Sequence, residues 1–126
     1  YKAVAAKNQN DPIAHSNLGV AYSKAGEYDE AIEEFKKSIL LDPNSGAAYN
    51  NLGNLYRIKK EYNSAIACLK KAVQLVPDHP YAYTTLGLCY EMRDMIDEAK
   101  TSYLSAIRYA PDSEWTNTAR ERLSMI

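Results

Sequence analysis

The sequence predicts an all-α fold in which antiparallel helix pairs stack into a solenoid, and two observations support this prediction. First, the chain of 126 residues matches itself at an offset of 34, so that Leu18-Gly19 recurs as Leu52-Gly53 and Leu86-Gly87. Second, apolar residues within each unit recur at the three- and four-residue spacing of a helix, in two stretches separated by a turn. A fixed period of this length is typical of arrays whose unit is one helix pair. The same offset relates a tyrosine, an alanine and a proline of every unit: Tyr22, Tyr56 and Tyr90; Ala31, Ala65 and Ala99; Pro43, Pro77 and Pro111.

The elements follow in order from this period. In the first unit, Leu18, Ala21 and Tyr22 mark one helix, and the helical pattern restarts after Gly26. Pro43 ends the second helix, because proline lacks a backbone N–H and restricts the residue before it. Six polar residues are expected to cap helices: Asp29, Asn63 and Asp97 before the second helices, and Asn44, Asp78 and Asp112 before the first helices of the following units.

Three full units are expected, at residues 12–45, 46–79 and 80–113. Residues 1–11 match the second helix of a unit whose first helix is missing, and residues 114–126 match a first helix with polar substitutions. A polar terminal helix suits the capping role that a stacked array requires. The tight turn that has Gly26 in the first unit has Lys60 and Asp94 in the others. A left-handed Lys60 is expected to cost ~1 kcal/mol relative to glycine.

The composition argues against two classes of partner. Fifteen Lys and Arg are balanced by sixteen Asp and Glu, for a net charge of -1, which disfavours nucleic acid. No apolar run approaches the roughly 18 to 20 residues that span a bilayer, so membrane insertion is not expected. The sequence leaves the compartment undecided, favouring the cytoplasm over the periplasm or a peripheral association with a membrane.

No catalytic or metal-binding pattern is present in the sequence. Glycine-rich phosphate loops, G-x-S-x-G and H-E-x-x-H are absent. Cys68 and Cys89 have no metal-ligand spacing to His15 or His79, and both are expected to be free thiols. His15 replaces a packing aromatic, so a structural role is expected, and the acidic pair Glu33-Glu34 is expected on an exposed helix face. We therefore predict no enzymatic activity, no metal and no cofactor.

The order Leu-Gly, Tyr, Ala, large residue, small residue, Pro resembles the tetratricopeptide repeat (TPR). The resemblance covers the three full units and implies a right-handed superhelix whose first helices line a concave groove. It places these residues off the packing stripe, at the groove: Ile13, Ser16, Asn17, Val20, Lys24, Ala47, Asn50, Asn51, Asn54, Arg57, Tyr81, Thr84, Thr85, Leu88, Glu91, Met92, Trp115, Thr118 and Arg122. The predicted peptide-binding residues among them are Asn17, Lys24, Asn50, Asn51, Asn54, Arg57, Tyr81, Thr85, Leu88, Trp115 and Arg122.

Two family precedents bear on these groove residues. Asn17 and Asn51 are similar to the asparagine ladder with which the repeats of O-linked N-acetylglucosamine transferases grip a peptide backbone, since an amide both donates and accepts. The alternative, that asparagine is only a tolerated polar residue on a solvated face, stays open. The second precedent is the carboxylate clamp of co-chaperones. Only Asn51 matches it among the five equivalent residues Ser16, Val20, Asn51, Tyr81 and Thr85, so chaperone-tail binding of that type is not expected.

The sequence thus predicts a non-catalytic adaptor that binds a protein or peptide partner in the groove. Tyr81 and Trp115 are candidate aromatic anchors, although Trp115 equally suits a role in sealing the last unit. Two further functions remain open. The chain could be the substrate-recruiting part of a larger transferase, or a self-assembling scaffold in which the apolar segment Tyr1 to Val4 docks onto another copy.

Overall fold

The computed structural model describes residues 11–126, apart from the side chains of Pro80 and Trp115. Over these residues the chain forms helices and no strand. The predicted half-unit at residues 1–11 and its proposed self-association lie, except for Asp11, outside the described residues. The helices are α1 (Pro12–Lys24), α2 (Tyr28–Leu41), α3 (Gly46–Ile58), α4 (Tyr62–Leu75), α5 (Pro80–Met92), α6 (Ile96–Tyr109) and α7 (Glu114–Met125).

A tight turn joins the two helices of each pair, and one left-handed residue makes it possible. Its φ is 79° at Gly26, 64° at Lys60 and 59° at Asp94. The backbone itself closes the turn, since the N–H of Glu27 donates to the carbonyl of Tyr22 over 2.9 Å, and both later pairs repeat this bond. Lys60 therefore adopts the left-handed conformation that the expected cost of ~1 kcal/mol assumes.

The six predicted helix caps were wrong by one or two residues. Asp29 lies inside α2, which begins at Tyr28, and Glu27 precedes the helix without a side-chain bond to it. The backbone-closed turn fixes where the second helices start, so no capping side chain is needed. In α3 and α5 the capping side chain belongs to the residue directly before the helix, one position later than predicted. The Ser45 hydroxyl accepts from Ala48 N–H over 3.2 Å and the His79 ring nitrogen Nδ1 accepts from Ala82 N–H over 3.3 Å. The other predicted caps that do not stand directly before a helix are Asn63, Asp97, Asn44, Asp78 and Asp112.

The helices stack in chain order, each packing on the next, and among the first helices α3 also contacts α5 and α5 also contacts α7. Small residues allow this close packing: Ala65 and Ala72 of α4 are fully buried. A Cβ on Gly53 would lie 2.7 Å from the Leu69 side chain, so only glycine allows α3 and α4 this separation. Burial is distributed between neighbouring helices, as expected for an array without a central core.

A buried hydrogen bond between side chains joins α1 to α2. The His15 ring and the Glu34 carboxylate share a 2.8 Å hydrogen bond, and Lys37 donates to the same carboxylate over 3.1 Å. Burial by itself would raise the pKa of Glu34, but the bonds from His15 and Lys37 outweigh it and hold the pKa below its ordinary value. His15 is buried, at 6% exposure, where a packing position was predicted. The expected exposure of Glu34 was wrong, because its carboxylate fills the site opposite the ring.

Candidate functional site

Two cavities lie between successive first helices, on the side of the array predicted as the groove. The first cavity, of about 170 Å³, is lined by α1, α2 and α3 through Val20, Ser23, Lys24, Phe35, Asn51, Asn54 and Leu55. The second cavity, of about 340 Å³, is lined by α3, α4, α5 and α7 through Arg57, Tyr62, Leu88, Glu91, Met92 and Arg122. The structure therefore brings six predicted residues to two adjoining cavities: Lys24, Asn51 and Asn54 in the first, and Arg57, Leu88 and Arg122 in the second.

A side-chain hydrogen bond links the two cavities. Oδ1 of Asn54, which lines the first cavity, accepts from Nε and Nη2 of Arg57 at 3.1 and 2.9 Å. Asn54 and Arg57 are three residues apart on α3, and this spacing places them side by side on one helix face. The bond holds the Arg57 guanidinium in position without neutralising its charge.

Glu91 joins three helices at the edge of the second cavity. Its carboxylate on α5 accepts from Nε of Arg122 on α7 over 3.0 Å, from Nη2 of Arg122, and from the Tyr103 hydroxyl on α6. The bonds from Arg122 lower the pKa of Glu91, and the bond from Tyr103 contributes further. Because the Arg122 guanidinium is engaged here, its main role is to attach α7. Arg122 therefore offers less to a ligand than the prediction assumed.

The remaining predicted residues are distributed differently. Asn17 is exposed on α1, and Tyr81 is half-buried at the start of α5. The prediction for Asn50 and Thr85 needs correction, since both side chains are buried, at 6% and 2% exposure. Thr85 also donates its hydroxyl to the Tyr81 carbonyl over 2.9 Å, which leaves little for a ligand to contact. The side chain of Trp115 lies outside the described part of the chain.

Four cavity-lining residues were missed by the sequence prediction. Ser23, Phe35 and Leu55 line the first cavity, and Tyr62 lines the second. Phe35 and Tyr62 belong to second helices, so a rule that takes groove residues from first helices could not find them. The sequence pattern indicates only a packing role for Phe35, and its side chain is almost fully buried.

A larger cavity, of about 530 Å³, lies on the other side of the array between α4 and α6. Its floor includes Leu86 and Tyr90, which are 5% and 7% exposed and belong to the packed core. On α5 these residues alternate with the groove residues Leu88 and Met92, so the two cavities use opposite helix faces. Size alone therefore does not identify the binding site, and the smaller groove cavities remain the candidates.

Neither metal ligands nor reactive thiols are assembled in the described residues. No group of three or more His, Cys, Asp or Glu within residues 11–126 is placed to hold a metal ion. Burial raises the pKa of Cys68 and of Cys89 to about 11, so both thiols stay protonated near neutral pH. In the same residues, no helix has both the length and the apolar character to span a bilayer.

Comparisons with known proteins agree with this architecture. Models of the tetratricopeptide repeat match residues 12–45, 34–67 and 81–113, and a TPR model matches residues 53–93. No curated protein sequence matches the chain. Among solved structures, the MamA protein is similar at 31% identity and a TM-score of 0.85, over 96% of this chain and 68% of that one.

Two further structures share the fold at lower identity. The first TPR of Spaghetti (RPAP3), solved with the HSP90 peptide SRMEEVD, has 24% identity and a TM-score of 0.85, covering 91% of each chain. The OM64 TPR domain of Arabidopsis has 19% identity and a TM-score of 0.85, over 90% of this chain and 94% of that one. Fold and groove define a helical-repeat interaction module. The chain belongs to the tetratricopeptide repeat family.

Proposed function

We propose that this chain is a non-catalytic interaction module that holds an extended segment of a partner protein in the groove between its first helices. The observation that supports this proposal most directly is the pair of adjoining cavities joined by the bond between Asn54 and Arg57. Together they place polar and apolar side chains of three successive first helices, α1, α3 and α5, on the groove side of the array.

The chemistry of the first cavity suits a peptide backbone. The Asn51 amide lines it and can donate to a carbonyl and accept from an N–H of the partner. Among the described residues no hydrogen bond involves the Asn51 side chain, so its amide is available to a ligand. Recognition through backbone groups would make the groove tolerant of the partner's side chains at that point.

The proposal is tested by selecting binding peptides from a random library displayed on phage and measuring their affinities by fluorescence anisotropy. Asn51→Ala should weaken binding about 5- to 30-fold, which corresponds to the loss of one or two hydrogen bonds of about 1 kcal/mol each. Its matched control is Asn117→Ala, which removes an exposed amide on α7 that lines neither cavity.

Thermal unfolding of both variants separates binding from folding. Both variants should keep a midpoint close to that of the unmodified protein. The proposal fails if the selected peptides bind Asn51→Ala and the unmodified protein equally well, or if the loss of affinity simply follows a loss of stability.

A further inference from the structure

We propose that the groove selects a partner segment with two acidic residues about three positions apart and a large apolar residue about three positions beyond the second. This inference rests on the proposed peptide-binding function and adds the chemical class of the partner. Acidic side chains would face Lys24 and Arg57, and the apolar side chain would enter the second cavity against Leu88 and Met92.

The first argument is the unbalanced positive charge of the groove. Lys24 and Arg57 form no ion pair with any acidic residue in the described part of the chain, and residues 1–10 contain no acid. The first cavity is lined by Lys24 and by no acid. This basic surface occurs on a chain whose net charge is -1, so it does not simply reflect the overall composition.

The second argument concerns the one acid that lines either cavity, Glu91. An unpaired carboxylate here would repel an acidic ligand, but Glu91 is held by Arg122 and by the Tyr103 hydroxyl. Because the positive charge of Arg122 neutralises the negative charge of Glu91, the side chains lining the second cavity carry one net positive charge, that of Arg57. Arg57 is half-buried, so water screens its charge less than that of the exposed Lys24.

The third argument is the apolar part of the second cavity. Leu88 and Met92 are four residues apart on α5 and present adjacent apolar surface, and Met92 is 62% exposed. The Tyr62 ring of α4 lines the same cavity. A volume of about 340 Å³ accommodates a side chain as large as leucine or phenylalanine.

The spacing of the three contacts follows from the spacing of the helices. Packed helices lie about 8–10 Å apart, and an extended chain advances about 3.3 Å per residue. One helix-to-helix step along the groove therefore corresponds to about three residues of ligand. Lys24, Arg57 and Leu88 belong to three successive first helices, so their ligand residues should be about three positions apart.

The probes are synthetic fluorescein-labelled peptides with amidated C termini, containing Asp-Gly-Ser-Asp-Gly-Ser-Leu or the reversed sequence. The control peptides replace both Asp by Asn, or Leu by Ser. We expect at least one orientation of the acidic peptide to bind about tenfold more tightly than its Asn control, since charge-assisted hydrogen bonds are stronger than neutral ones. Amidation removes the terminal carboxylate, so the preference must come from the internal acids.

Variants of the protein then locate the contacts. Arg57→Met keeps most of the side-chain volume and should reduce the affinity for the acidic peptide about tenfold, while Lys24→Met should reduce it about threefold because Lys24 is more exposed. The matched control Arg93→Met removes an exposed arginine that lines neither groove cavity and should change nothing. Raising the salt concentration should weaken the binding of the acidic peptide but not the binding of its Asn control.

The outcomes separate this inference from the proposed function. If the acidic and Asn peptides bind equally and both require Asn51, the selectivity for acids is refuted while peptide binding stands. If Arg93→Met weakens the binding of the acidic peptide as much as Arg57→Met does, the electrostatic attraction is non-specific and the inference is refuted. If neither orientation binds the unmodified protein, the inference is also refuted, and the phage selection still decides the proposed function.

Discussion

Gly87 should not tolerate even a single methyl group, although alanine is the better helix former. A Cβ at this position would lie 2.5, 2.7 and 2.9 Å from three ring carbons of Tyr103. The ring is fully buried, and its hydroxyl is bonded to Glu91, which Arg122 also holds. The ring therefore has little freedom to move away, and the two helices α5 and α6 would have to separate.

The magnitude follows from two opposing terms. Alanine gains about 1 kcal/mol over glycine in a helix interior. Overpacking a rigid core costs about 1–3 kcal/mol, and the pinned ring places Gly87→Ala at the upper end of that range. The net expectation is a destabilisation of about 2 kcal/mol, or a fall in unfolding midpoint of about 8 °C for a domain of this size.

The assay is urea and thermal unfolding followed by far-UV circular dichroism. Gly26→Ala is the comparison, because nothing lies within 4 Å of its Cβ position and its φ of 79° alone should cost about 1 kcal/mol. If Gly87→Ala were as stable as the unmodified protein or more so, helix propensity would outweigh the contact with Tyr103. The explanation that the Tyr103 ring restricts this position to glycine would then be refuted.

Two further predictions concern the turns and the attachment of α7. Lys60→Gly should stabilise the protein by about 0.5–1 kcal/mol in thermal unfolding, since glycine adopts the left-handed turn without strain; an unchanged midpoint would contradict this. Glu91→Gln should destabilise the protein at neutral pH by breaking the ion pair with Arg122. Because the folded-state pKa of Glu91 is lowered, its contribution is complete above the ordinary pKa of about 4.3 and disappears as the pH falls through the lowered value. The difference in urea midpoint between Glu91→Gln and the unmodified protein should therefore vanish toward pH 3, and a constant difference would contradict the assignment.

The helices and their order could be predicted because each unit repeats the same short-range signals. Leu18 and Gly19 recur with a period of 34, and Pro43 recurs near the end of every second helix. The helix starts were less predictable. Sequence patterns suggested Asp29 as a cap, whereas a backbone hydrogen bond from Glu27 to Tyr22 closes the turn without any side chain.

The candidate site was predictable only in part. Helical periodicity identifies which residues leave the packing stripe, and Lys24, Asn51 and Asn54 do line a cavity. Periodicity cannot reveal how deeply a neighbouring helix covers a residue. Asn50 and Asn51 are adjacent in the sequence, yet Asn50 is 6% exposed while Asn51 reaches the first cavity.

The helical array could be predicted from the sequence, but the pairing of charged side chains could not. The sequence by itself determined an array of helix pairs, because backbone hydrogen bonding and local apolar spacing act within about 34 residues. Only the tertiary structure decided which positively charged side chains of the groove form an ion pair with an acidic residue. Arg122 meets Glu91 across 31 positions of chain, whereas Arg57 meets only the neutral Asn54. Such pairings depend on how helices are superimposed in space, and no local pattern encodes that superposition.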